Sequence, residues 1–198
     1  MAEEALFPVF LKLGGRRVLL VGGGPVAAGK LGGLLQAGAR VRVVAPAIVE
    51  EIVRARVELA RKPFEPADLD GVRFVVAAAP PEVNRLVADA AEARGIFVNA
   101  VDDVASASAY AGAVLRRAGV TVAVSTDGAA PALAGLAREA LDALLPDDLE
   151  DWMACAREAR RQWLAAGIPM AQRRPLLLQA LVALYDARTS VAAAERSR

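Results

Sequence analysis

The sequence predicts an α/β fold in which a parallel, doubly wound sheet is followed by a hairpin and helices. Three observations carry this prediction. The apolar run Val18-Leu19-Leu20-Val21 passes straight into the glycine cluster Gly22-Gly23-Gly24 and then into a helix that opens near Pro25. As far as residue 98, short apolar runs alternate with helical stretches, the rhythm of strands joined by right-handed crossovers. Past Asn99 the rhythm changes to two closely spaced strands and then to helices alone.

The first strand is apolar without alternation, as a strand buried on both faces must be. Its glycine turn fits Gly-x-Gly-x-x-(Gly/Ala) at Gly22, Gly24 and Ala27. Gly22, without a Cβ, can take the tight turn out of the strand. Gly24 leaves room for phosphate oxygens, and Ala27 lets the helix pack closely, so that its positive end faces an anion. A glycine triplet alone occurs in many turns; the strand before it and the helix after it give it the meaning of a dinucleotide cradle.

The helix at 26–37 closes at Gly38, a residue suited to the left-handed end conformation. A second strand is expected at 39–44, a short helix at 48–55, a third strand at 57–60 and a fourth, strongly apolar, at 72–78. Pro80 and Pro81 suit a helix start; that helix runs to Arg94, Gly95 ends it, and a fifth strand is expected at 96–98. Strands at 109–115 and 120–124, joined by Arg116-Arg117-Ala118-Gly119, read as a hairpin. Ser125-Thr126-Asp127-Gly128-Ala129-Ala130 then leads into a helix at 132–145, bracketed by Pro131 and Pro146. Helices at 148–166 and 171–187, separated by Gly167-Ile168-Pro169, complete the chain, with fraying expected after Arg188.

Composition narrows the function. With 56% apolar and 24% charged residues, the 198-residue chain is no disordered polymer. No uninterrupted apolar run reaches the roughly 18 residues a membrane helix needs. The acidic opening Met1-Ala2-Glu3-Glu4 lacks the basic start of a secretory signal, so a cytoplasmic protein without membrane association is expected. There is no histidine and only one cysteine, Cys155, which excludes an internal disulfide, the usual zinc sites and every His-dependent triad. Any acid or base catalyst must be Asp, Glu, Lys, Tyr or Cys155, and no metal site is expected. Net charge is +1, but residues 152–198 hold eight arginines against Glu158, Asp186 and Glu195. Those arginines either pair with an anionic ligand or form a solvated helix face. Nucleic acid is excluded as a partner by the near-neutral charge, 5% aromatic content and lack of a basic run.

Four ordered motifs carry a family resemblance. They are Phe7-Pro8-Val9-Phe10-Leu11-Lys12-Leu13 with the strand and glycine turn through Lys30; Gly38-Ala39-Arg40-Val41-Arg42-Val43-Val44-Ala45-Pro46; Val98-Asn99-Ala100-Val101-Asp102; and Val122-Ala123-Val124 continuing through Ser125 and Pro131 to Ala134. Together they resemble the precorrin-2 dehydrogenase and sirohydrochlorin ferrochelatase family, the N-terminal module of siroheme synthases. The resemblance covers about residues 7–145, and the last 50 residues share only a helical, Arg-rich character. It implies a Rossmann domain at 1–108 that binds NAD, a dimerisation segment at 109–146 and a small helical domain at 147–198. It further implies NAD-dependent oxidation of precorrin-2, a tetrapyrrole with eight carboxylates, to sirohydrochlorin, by a homodimer. Some members also insert iron, which leaves a bifunctional enzyme as one alternative; a non-catalytic, dinucleotide-binding redox sensor is another.

Asp102 is the candidate catalytic residue. It follows the fifth strand, at the end of the sheet where doubly wound folds place their ligands, and the family's catalytic aspartate sits there. A dehydrogenation needs a proton acceptor beside its hydride acceptor, and a carboxylate can serve; Asp102 or Asp103 could instead cap a turn. Gly22, Gly23, Gly24, Pro25, Val26, Pro46 and Ala47 are the candidate cofactor residues, with Asn99 either bonding the ribose or nicotinamide amide or fixing the turn after its strand. Ser125, Thr126 and Asp127 cap a helix or touch substrate or metal; Thr126 stands where the family usually has serine. Lys30 is structural or faces phosphate, and Arg116 and Arg117 are turn residues or propionate ligands. Where an acid usually grips the ribose 2′-OH, this chain has Val44-Ala45-Pro46-Ala47. Arg40 and Arg42 lie close enough in sequence to raise an NADP reading; the family's use of NAD weighs against it.

Overall fold

A computed structural model of the chain describes residues 5–196, with side chains as far as Asp186. The opening Met1 to Glu4 lies outside the described residues, as do the side chains of Arg188 and Arg196 and the whole of Arg198. The chain divides into two compact units: one runs up to Gly112 and includes Ser125–Pro131, and the other holds Ala113–Val124 and the chain from Ala132 onward.

The first unit is built on five parallel strands, β1 (Arg17–Val21), β2 (Arg40–Val44), β3 (Glu58–Ala60), β4 (Phe74–Ala77) and β5 (Val98–Ala100), in the order β3-β2-β1-β4-β5. Helices α1 (Pro25–Gln36), α2 (Glu50–Arg54) and α3 (Pro81–Glu92) connect them. Alternate strand residues face opposite sides, so Val18, Leu20, Val43 and Val76 pack with α1 and α2 while Leu19, Val21, Val75 and Val98 pack with α3. Leu19 and Leu20 are both completely buried, each contributing about 1.5–3 kcal/mol of hydrophobic stabilisation. Val21 pairs in register with Val44 on one side and Ala77 on the other, which brings the carboxyl ends of β1, β2 and β4 to one level. The chain leaves β1 toward β2 and returns on its far side as β4, making the space beyond β1 and β4 a topological switch point.

The fifth strand is Val98–Ala100 and not 96–98. Gly95 takes φ 63° and the Ile96 N–H donates to Ala91 O at 3.0 Å, so Ile96 belongs to the end of α3. Asn99 therefore lies within the strand, not in the turn after it. Ser108 and Ala109 both donate their N–H groups to Val98 O, at 3.0 and 2.9 Å, which ties that segment to β5 and delays the hairpin.

In the second unit, β6 (Ala113–Arg117) and β7 (Val120–Val124) form the antiparallel hairpin. Its turn is Ala118-Gly119 alone, with φ of 50° and 84°, the conformation a two-residue connection demands. Arg116 and Arg117 are consequently strand residues, and Arg117 donates to the carbonyls of Leu145, at 2.6 Å, and Pro146. Helices α4 (Pro131–Leu144), α5 (Leu149–Ala165) and α6 (Met170–Arg196) follow. The last runs past the expected end at 187, through the helix-favouring Ala192-Ala193-Ala194. Among the described residues no helix is long and apolar enough to cross a membrane.

Candidate functional site

The glycine turn at the end of β1 is shaped by three different constraints. Gly22 has φ 125°, and a Cβ there would lie 2.2 Å from Ala78 O. A Cβ on Gly23 would lie 1.9 Å from Ala47 O, because the β2–α2 loop packs against the turn and Val49 N–H donates to Gly23 O at 2.8 Å. Gly24 differs: nothing lies within 4 Å of the position its Cβ would take. Two glycines thus fit the fold, and the third opens a space.

That space is bordered by free backbone donors. Gly24 is the N-cap of α1, and the first helical bond runs from Ala28 N–H to Gly24 O at 3.0 Å, which leaves the N–H groups of Val26 and Ala27 ahead of the ladder. Pro25, at the first helical position, has no N–H to satisfy. No side chain caps this end and no acidic residue occupies the first turn. Ala27 is fully buried, bringing the helix axis close to the sheet, while Pro25 and Val26 are exposed. The result is a positive helix end with an unfilled flank, which fits an anionic diphosphate. Lys30 is half-buried in the second turn.

Beyond β2, Pro46 and Ala47 are exposed and present backbone and methyl groups where a carboxylate usually stands. Arg40 sits at the opposite end of that strand, level with Arg17, four residues or about 13 Å from Val44. Arg42 is held by Glu58 at 3.2 Å and Asp68 at 3.4 Å. Neither arginine reaches the carboxyl edge.

The far side of the switch point is formed by β4 and β5. Asn99 is buried; its Nδ2 donates to Ala109 O at 3.0 Å, and its Oδ1 has no partner. Asp102 is exposed with φ 57°, a left-handed conformation that Asp tolerates better than most residues, and no hydrogen bond or ion pair engages its carboxylate among the described residues. Asp103 differs, accepting the Ser106 N–H at 3.2 Å as a cap. Val101 N–H donates to Ala77 O at 2.8 Å, which anchors the Asp102 turn to β4.

The Ser125–Pro131 loop is internally bonded: Ser125 Oγ and Asp127 Oδ1 are 3.2 Å apart, and Thr126 Oγ1 accepts from Ala130 N–H at 3.2 Å. Thr126 retains the local bond a serine would make. A Cβ on Gly128 would lie 2.9 Å from Val104, which places the loop beside the turn that carries Asp102 and Asp103.

Sequence reading missed Asn84. It is 2% exposed in α3, and its Oδ1 accepts the Ala79 N–H at 3.1 Å, fixing the chain as it leaves β4 at the switch point. The available signal was a polar, turn-favouring residue inside an amphipathic helix three positions after Pro81.

Residues 9–113 match the family described as putative NAD(P)-binding. The chain belongs to that family. Relatives within its reach agree with the resemblance the four motifs carry. The siroheme synthase of Chromobacterium violaceum is 48% identical over 145 residues, covering 71% of this chain and 31% of the relative. That of Photorhabdus laumondii is 41% identical over 178 residues, covering 87% and 38%. The chain thus spans about a third of the length of the curated relatives it matches. Among solved structures, "SirC, precorrin-2 dehydrogenase" superposes with a TM-score of 0.65 at 27% identity and 88% coverage of both chains. An NAD(P)-binding domain accounts for the cradle at Gly22 to Ala27 and for the absence of a partner at Gly24's open flank.

Proposed function

We propose that this chain oxidises precorrin-2 to sirohydrochlorin with NAD as the oxidant, in the cytoplasm, as a step of siroheme biosynthesis. The observation that carries the reading is the joint placement of an open diphosphate cradle and the unpaired Asp102 carboxylate on one edge of the sheet, on either side of its switch point. A precorrin-2 dehydrogenase that superposes over 88% of both chains supports the substrate.

Substrate loses two hydrogens, one as hydride and one as proton; NAD supplies the hydride acceptor. The Val26 and Ala27 N–H groups bind its diphosphate, Gly22 and Gly23 hold the turn that aims them, and Pro25 fixes the start of the helix. Pro46 and Ala47 form the wall on the adenosine side. NAD is favoured over NADP because Arg40 and Arg42, the arginines of β2, lie away from this edge. Asn99 orients the nicotinamide end through its amide, and Asp102 takes the proton. We assign residues 109–146 to a homodimer interface and 147–198 to a helical domain whose arginines offset substrate carboxylates.

Purified protein mixed with NAD and precorrin-2 should produce NADH, and Asp102→Ala should bind NADH normally while turning over far more slowly. A sensor would bind NADH and leave the tetrapyrrole unchanged. Turnover by Asp102→Ala at the parent rate would remove the catalytic assignment.

A further inference from the structure

At the amino edge of the sheet, remote from the glycine turn, lies a cavity of about 360 Å³, within the roughly 300–1,000 Å³ of small-molecule sites. All its walls belong to the first unit. Four arginines line it, Arg17, Arg40, Arg42 and Arg56, against two acids, Glu58 and Asp68. Both acids are committed to Arg42, and Asp68 also to Lys62 at 3.0 Å. The guanidiniums of Arg17, Arg40 and Arg56 have no ion pair or hydrogen bond among the described residues. Arg17 and Arg40, both exposed, are register partners on adjacent strands, which sets two like charges side by side. Arg42 Nε is buried and, although 3.2 Å from Glu58 Oε1, is not aligned for a hydrogen bond. The remaining walls are apolar, Val18, Val41 and Val72 among them.

Arg56 adds a second, independent observation. It stands in the turn between α2 and β3 with φ 54°, a conformation that glycine takes freely and a long side chain resists. The fold holds a strained arginine at the cavity where an unstrained glycine would serve. The carbonyl ends of α1 and α2 also lie at this edge and attract cations, but partial charges of that size leave three full positive charges unmatched.

We propose that this cavity binds a small dianion with an apolar body, its two negative charges between Arg17, Arg40 and Arg56. The assignment is independent of the redox reading, since it shares no residue with the carboxyl edge. Phosphate esters and dicarboxylates share the required chemistry.

Calorimetric titration with phenyl phosphate, phthalate and benzoate, each with and without NADH, tests the proposal. One or both dianions should bind saturably in either state, the tighter one naming the source, and benzoate about ten-fold more weakly. Arg40→Gln and Arg56→Gly should each lose about ten-fold in affinity. Without ligand, Arg56→Gly should melt no lower than the parent, because glycine relieves the strain at φ 54° and the lost guanidinium bears only on binding. Absence of saturable binding by both dianions, benzoate binding as tightly as they do, or unchanged affinity in both variants would overturn the proposal, whatever NADH does at the other edge.

Discussion

The two edges of the five-stranded sheet meet solvent with opposite chemistry. At the carboxyl edge the chain removes side chains: Gly22, Gly23 and Gly24 end β1, and Ala45-Pro46-Ala47 follow β2. Around β1, β4 and β5, polarity comes from backbone, through the N–H groups that open α1, and from the Asp102 carboxylate, while Arg61 follows the outer strand β3. At the amino edge the chain adds side chains, with Arg17, Arg40, Arg42 and Arg56 around one cavity. Parallel strands impose this asymmetry, because every crossover helix starts at one edge and finishes at the other. Donors of the first turn collect where helices begin, and fixed small residues let a ligand approach them. Helix ends expose carbonyls at the other edge, so any anion held there needs side-chain cations.

The largest effect should break the carboxyl edge at its one reactive group. Asp102→Ala removes the proposed proton acceptor, and a loss of about 10²–10⁴-fold in kcat is expected, the usual worth of a general base. NADH affinity measured on the same variant should stay at the parent value, since the proposed diphosphate contacts come from α1. Asp102→Asn keeps a side chain suited to φ 57° and should be equally slow, which separates loss of the carboxylate from relaxation of the turn.

The three glycines sharpen the comparison further, because they are adjacent yet answer to different constraints. Gly23→Ala drives a Cβ into the backbone of Ala47, 1.9 Å from its carbonyl oxygen, and should cost about 1–3 kcal/mol of stability in urea unfolding. Gly24→Ala meets no protein atom; stability should change by less than about 0.5 kcal/mol while NADH binding weakens. If both variants lost stability alike and bound NADH alike, the open flank would have no bearing on the cofactor.

Much of this edge was legible in the sequence because it rests on local rules. The apolar run, the glycine spacing and Pro25 specify strand, turn and helix with no knowledge of the rest of the chain, and Gly38 marks the helix end. Asn99 was harder to place. Its position inside β5 depends on Ile96 being captured by Ala91 O and on the Ser108 and Ala109 N–H groups meeting Val98 O, bonds made across 5 to 11 residues. Arg116-Arg117-Ala118-Gly119 stands between two apolar runs and reads as a four-residue turn; Ala118 accepting φ 50° shortens that turn to two. The amino-edge cavity had no sequence signal at all, since Arg17, Arg40 and Arg56 come from three separate elements and only strand register brings the first two level.

Asn84 links the carboxyl edge to its own stability. Asn84→Ala removes the acceptor for Ala79 N–H and should cost about 0.5–1.5 kcal/mol, a modest sum for a buried residue because the freed N–H lies only partly out of water. The loss should appear in the urea midpoint with an unchanged m-value, and it should lower NADH affinity less than Gly24→Ala does, since the bond steadies β4 and not the diphosphate cradle.

The smallest effect belongs to the ion-pair network that holds the cavity acid Asp68. Lys62 lies 2.8 Å from Glu65 and 3.0 Å from Asp68, and the hydrogen bonds to Glu65 first and Asp68 second hold its ammonium above the ordinary 10.5. A pKa raised by folding means that the folded state keeps its proton where the unfolded chain has begun to lose it. The stabilisation is therefore fully present below pH 10.5 and disappears as pH rises through the folded value. Because Lys62 is substantially solvent-exposed, the contribution is small, as it is for ion pairs in water. The difference in urea midpoint between the parent and Lys62→Gln should be flat from neutral pH to the onset of titration and shrink beyond it. A difference that stayed flat through the titration would mean that Asp68 draws its compensation from Arg42 alone, and one that grew with alkalinity would mean that folding lowers the Lys62 pKa.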